Sequence, residues 1–238
     1  VKQYTSTTAY KAYADIIYPL DRAVAMYTSH YKTLLSCLQR VKEQGFYNEN
    51  GLLQTDVLLM DALTGLQGYL SVQFSLFDQL KKHAYKQPAQ NELLDAYTRF
   101  MDLEITEFFK VFNNNILHGV NFSTVLQFHS GRDEAKLVYY VCELLKVGQW
   151  QKSKDYISSF GEFITIEGLM AEYHSHVCAF LDGYEAVLFK DNIGVFKDVL
   201  ARLGSYAIQY DQIGQKGYLP ISQDYLRKKR RFIPEGFS

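Results

Sequence analysis

The sequence predicts an all-α fold: an antiparallel bundle of five to six helices, with a small β-hairpin inserted after the third helix. Three observations carry that prediction. Long stretches repeat apolar residues at alternating spacings of three and four, which lines them along one helical face. Short loops marked by Gly or Pro separate these stretches, so consecutive helices should pack antiparallel. One stretch instead gathers β-branched and aromatic residues around a turn-rich segment, the composition of a strand pair.

The first helix carries Val24, Tyr27, Tyr31, Leu34, Leu38 and Val41 at spacings of 3, 4, 3, 4 and 3. Pro19 either starts it or kinks a longer helix that begins near Thr8, and Gly45 stops it. The second follows Thr55 as N-cap, runs through Leu59, Leu63, Leu66, Leu70, Phe74 and Phe77, and ends near His83. Gly65 and Gly68 within it would let a neighbouring helix approach closely. The third opens near Asn91 and carries Leu94, Tyr97, Met101, Ile105, Phe108, Phe112 and Ile116, with Gly119 as its stop. Residues 121–128 and 135–142 then read as the hairpin around Ser130, Gly131, Arg132 and Asp133. A fourth helix runs from Trp150 to Phe160, a fifth through Ile166, Leu169, Tyr173, Val177, Phe180, Tyr184 and Val187, and a sixth from Val195 to Tyr210. Residues 1–212 are thus expected to form the bundle, and residues 213–238 a linker and a basic tail.

Composition narrows the function classes. Hydrophobic residues make up 47% of the 238 and charged residues 21%, a balance that can bury a core and argues against disorder. The net charge is −1, yet Arg227, Lys228, Lys229, Arg230 and Arg231 are consecutive cations, so the rest of the chain is mildly acidic and not the footprint of a dedicated duplex-DNA binder. Cys37, Cys142 and Cys178 are odd in number and far apart, which argues for neither a disulfide framework nor a thiolate zinc site and points to a reducing cytoplasm. The uncharged run from Ala62 to Phe77 is too short and too polar to span a bilayer, and the N-terminal residues show no export signal, so no membrane partner is expected. No phosphate-binding glycine loop, HExxH or GxSxG occurs, and no cofactor is expected.

The most unusual local feature is the run Asn113, Asn114, Asn115, Ile116, Leu117, His118, Gly119. Three asparagines weaken the last turn of a helix that its other residues support. Helix termination accounts for this in part, since Asn and Gly satisfy terminal carbonyls and the helix dipole favours a histidine there. The functional reading is that His118, which lies off the stripe of Phe108, Phe112 and Ile116, is aimed at a cleft or a partner, where it can exchange protons near neutral pH.

The segment NNNILHG, the hairpin after it, ELLKVGQW and the helix ITIEGLMAEYHSHVCAFLDGY together resemble the helical HEPN superfamily, the higher eukaryotes and prokaryotes nucleotide-binding domain. The likeness covers roughly residues 20–190 as a pattern of elements, and its one short signature is the end of the third helix. Families of this kind show an arginine, often followed by asparagine, then a histidine a few residues on and commonly a glycine. His118 and Gly119 match the end of that motif, Asn114 matches the asparagine, and the arginine position falls on Asn113. The resemblance implies a homodimer in which two motifs face each other. In the ribonucleases of the superfamily it implies a metal-independent cleavage, with histidine moving the 2′-hydroxyl proton and arginine stabilising charge on the phosphate. Losing that cation costs a few kcal/mol, on the order of a hundredfold in rate. The expectation is therefore a degenerate member, a binding module that does not cut or cuts weakly, in a bacterial defence or toxin–antitoxin setting by analogy.

The alternatives are an active ribonuclease built on His118 with a substitute cation, and a structural or regulatory protein that never meets nucleic acid. Lys110, two turns before His118, and Arg132 in the hairpin turn are the candidate cations, and each also reads as a solvated surface charge. The run Arg227–Arg231 could contact RNA phosphates or an acidic protein partner, but is favoured as a solvated tail. His174, Cys178 and Asp182 share a helical face and could bind a transition metal. They lack further ligands at recognisable spacing, so they read as a polar edge and no metal is expected.

Overall fold

A computed structural model describes residues 7–44, 52–117, 124–129, 134–147, 150, 152–212 and 228–229. Over these residues the chain is mainly helical with a small antiparallel sheet, the class its periodicity predicts. The helices are α1 (Thr8–Gln44), α2 (Leu52–Ala84), α3 (Gln90–Met101), α4 (Glu104–Leu117), α5 (Val141–Val147), α6 (Ser153–Ser158), α7 (Ile166–Asp191) and α8 (Ile193–Gln212). The strands are β1 (Thr124–His129), β2 (Glu134–Tyr140) and β3 (Phe163–Thr165). Among the described residues no helix is long and apolar enough to cross a membrane.

Helix α1 continues through Pro19, so the longer of the two expected helices is the one formed. Pro19 and Asp15 are both exposed, which leaves the carbonyl that the proline cannot satisfy open to water. Tyr27, Leu34, Leu38 and Val41 are buried on the side of α1 that packs against α2, which buries Leu66, Tyr69 and Leu70 in the same core. The Leu34 Cα stands 3.6 Å from the place a Cβ on Gly65 would occupy, the close approach that this glycine permits. The first turns of α1 serve a second apolar cluster, in which Tyr10, Tyr13 and Ile17 meet Phe189, Phe196, Val199, Leu200 and Leu203 of α7 and α8.

The single third helix read from periodicity is two helices. Its apolar spacing continues across the break, but Asp102 caps α3 and Glu104 and Glu107 open the first turn of α4. Acidic side chains favour a helix start and disfavour a helix end, so this order of charges stops one helix and begins another. The break frees α3 to pack on α7 and α4 to pack on α6.

Strands β1 and β2 pair antiparallel with Thr124 opposite Tyr139 and His129 opposite Glu134, so the hairpin forms close to its expected span. Residues 141 and 142, expected at its end, belong to α5 instead. The sheet has a third strand, because β3 pairs antiparallel with β2 and sets Ile164 opposite Tyr139. Gly161, with φ at 79°, makes the turn that leads into it. Helix α7 then crosses the core with Tyr173, Val177, Tyr184 and Leu188 fully buried.

Candidate functional site

Helix α4 delivers the asparagine run to the edge of the core. Phe108 stacks on Trp150, centroids 5.3 Å and planes 7° apart, and Phe109 stacks on Tyr173 at 4.4 Å. Phe112 meets Tyr139 of β2 edge-on. With its apolar face so held, the last turn places Asn113 and Asn115 half-buried and Asn114 exposed. The Asn113 Oδ1 and Asn115 Nδ2 atoms are covered and have no hydrogen-bond partner among the described residues. An amide group buried without a partner costs about 1–3 kcal/mol, and most buried polar groups in folded chains find one. His118 and Gly119 lie outside the described residues, as does Arg132. Lys110 is exposed, and its ammonium lies 3.2 Å from Glu107.

The basic run does not behave as one solvated tail. Arg227, Arg230 and Arg231 lie outside the described residues, and Lys228 is exposed. Lys229 is 1% exposed, with its Nζ 2.8 Å from Asp21 on α1 and 2.8 Å from Glu185 on α7. This departs from the solvated charge expected there. An ammonium taken out of water must be paired, and the pairing carboxylates come from helices far away in the sequence. The linker and tail expected over 213–238 otherwise lie outside the described residues.

A second polar cluster forms where α1, α2 and α7 meet. The His174 Nδ1 is 2.7 Å from the Tyr27 hydroxyl, which lies 2.9 Å from the Tyr69 hydroxyl. Burial pushes both phenols well above their ordinary range and lowers the imidazole below its usual 6.5. The Tyr31 ring lies over His174 with centroids 3.6 Å apart. His174 Nε2 is 3.5 Å from Cys178 Sγ, and the thiol is exposed. His176 is exposed away from this cluster. Among the described residues no group of three or more His, Cys, Asp or Glu side chains is arranged to hold a metal ion.

The helical spacing of His174 and Cys178 was visible in the sequence, but the tyrosines that orient the imidazole were not. They were indistinguishable from the other aromatic residues on core stripes. The chain matches no protein-family model, no curated protein and no solved structure.

Proposed function

We infer that the protein is a HEPN-like helical binding module that takes RNA at the asparagine end of α4 and does not cleave it, or cleaves it weakly. The observation that supports this is the pair of covered amide atoms without a partner among the described residues, Asn113 Oδ1 and Asn115 Nδ2, on the turn that leads to His118. One is an acceptor and the other a donor, two residues apart and so on different sides of the helix, and each can pair with a separate polar group of an RNA once the last turn opens. Weak catalysis follows from charge. Asn113 stands where the superfamily carries arginine and has no charge, while the neighbouring cation Lys110 is engaged by Glu107. His118 then has no partner on this helix to neutralise a phosphate in the transition state. The module acts as a homodimer in the cytoplasm, within a defence or toxin–antitoxin setting. The three free thiols fit a reducing compartment.

Titrating the full chain with structured and unstructured RNA at low salt in EDTA tests this reading, with fluorescence anisotropy for binding and gel electrophoresis for cleavage. Binding without cleavage is expected, with Asn113→Ala weakening it about tenfold, the worth of one or two lost hydrogen bonds. Cleavage that disappears in a folded His118→Ala variant replaces this reading with the ribonuclease. An absence of RNA binding replaces it with the structural or regulatory protein, and light scattering reports the dimer.

A further inference from the structure

Away from the asparagine end, the side chains with most chemistry meet at His174. Its ring is fixed in plane by Tyr31, at 11° between ring planes, and in rotation by Tyr27 at Nδ1. Only Nε2 is left to face outward, and it faces the exposed Cys178 thiol at 3.5 Å. A nucleophile within reach of a base, and a base oriented by a third group, is the arrangement that activates a weak nucleophile.

Proton placement is consistent with that role. The Tyr27 and Tyr69 phenols stay protonated, because burial raises both. When Tyr27 donates to Tyr69, His174 Nδ1–H donates to Tyr27, and Nε2 keeps its lone pair toward Sγ. The imidazole is neutral at pH 7, since burial lowers it. The groups that act on the thiol are His174 and Asp182 on α7, Tyr27 and Tyr31 on α1, Tyr69 on α2, and Lys228. Burial and then Asp182 push the thiol up, and Lys228 pulls it down. Little thiolate is therefore preformed at neutral pH, so the proton has to leave during the reaction itself.

Lys228 also lines an open groove of about 790 Å³ together with Arg22, Lys32 and Asp21. Asp21 is paired with Lys229, so the groove presents a positive field, and Lys228 is the groove cation that also acts on the thiol.

We propose that Cys178 is a nucleophilic site for small anionic electrophiles, with His174 as its general base and Lys228 as the cation that attracts the substrate. The substrate class is a carbon that bears a leaving group and stands next to a carboxylate. In the step, Sγ bonds to that carbon, the thiol proton passes to His174 Nε2, and the leaving group departs with the electron pair of the broken bond. Tyr27 is a positioning residue that acts through the imidazole.

Iodoacetate and its neutral counterpart iodoacetamide test this on the full chain, with site-resolved mass spectrometry comparing Cys178 with the exposed Cys142. At pH 7 Cys178 should react with iodoacetamide at least about tenfold faster than Cys142, a modest share of what general-base assistance provides. His174→Gln should remove that excess at pH 7, leave Cys142 unchanged, and rejoin the parent chain at high pH, where the thiol ionises unaided. Lys228→Ala should lower the iodoacetate-to-iodoacetamide rate ratio at Cys178 by about threefold or more, the range of one nearby exposed charge. If His174→Gln loses the helical circular dichroism, Tyr27→Phe reads the same relay and should slow Cys178 several-fold at pH 7. Equal rates at the two cysteines, or a folded His174 or Tyr27 variant with no change in rate, overturn the nucleophilic site. A ratio indifferent to Lys228→Ala overturns its preference for anions.

Discussion

Polar groups go beneath the surface in two contrasting ways, at Lys229 and at the end of α4. At Lys229 an ammonium is met at 2.8 Å by carboxylates from two different helices. At the asparagine end an amide oxygen and an amide nitrogen are covered and meet nothing among the described residues. The first is a contact the fold completes for itself. The second pair of atoms finds no partner among the described residues, and a donor and an acceptor supplied to it would offset the cost. Even the charged site keeps one covered atom without a partner among the described residues, Glu185 Oε2. The difference is therefore one of degree at each atom and of kind between the regions: one ties helices together, the other holds covered groups that no described residue pairs.

The largest expected effect lies at the closed region. Lys229→Ala leaves Glu185 nearly buried, with Asp21 close by and no cation between them. Breaking a buried ion pair by removing one partner typically costs about 3–5 kcal/mol, and urea denaturation followed by circular dichroism should read a loss of that size. Replacing both members, as Lys229→Met with Glu185→Leu, should recover most of it, because well-packed apolar side chains substitute for a buried pair at little cost. A loss below about 1 kcal/mol in the single variant would erase the contrast, since the segment around Lys229 would then lie on the bundle without holding it.

How much of this was visible in the sequence depends on the range of the cause. The faces of α1, α2 and α7 follow from residues three and four apart, and Tyr27, Leu66 and Val177 are buried where that spacing puts them. The break between α3 and α4 was hidden because Met101 and Ile105 keep the spacing across it, while the charges of Asp102, Glu104 and Glu107 decide it. Strand β3 spans three residues, too few for alternation to register, and exists through its pairing with β2. The sites divide in the same way. The asparagine run stood out as a local conflict, and His174 and Cys178 shared a face at a spacing of four. Tyr27 reaches His174 across 147 residues and Lys229 reaches Glu185 across 44, and no local pattern encodes such contacts.

A smaller effect, of opposite sign, is expected at the open region. Asn115→Leu removes a covered amide nitrogen that has no partner among the described residues and introduces a better helix former. Stability should rise by about 1 kcal/mol, read as a higher urea midpoint with unchanged slope, while RNA affinity falls. A drop in stability would mean that the amide is already satisfied within the chain, and the two regions would then be alike.

The smallest effect concerns Lys110, the cation that precedes the asparagine run on α4, and it sharpens the comparison. Lys110 and Glu107 form a surface pair three residues apart on α4, with the lysine side chain 57% and the glutamate side chain 17% exposed. Pairs of this kind contribute about 0.5 kcal/mol or less and fade with salt, so Lys110→Ala should barely move the urea midpoint. With its ammonium 3.2 Å from Glu107, the lysine already has a carboxylate partner, and RNA affinity at moderate salt should change by no more than a loose phosphate contact would give, about threefold. A much larger loss of affinity, or cleavage that vanishes with Lys110, would mean that RNA draws the ammonium away from Glu107. The asparagine end would then be a catalytic centre with a substitute cation, and no longer a binding surface alone.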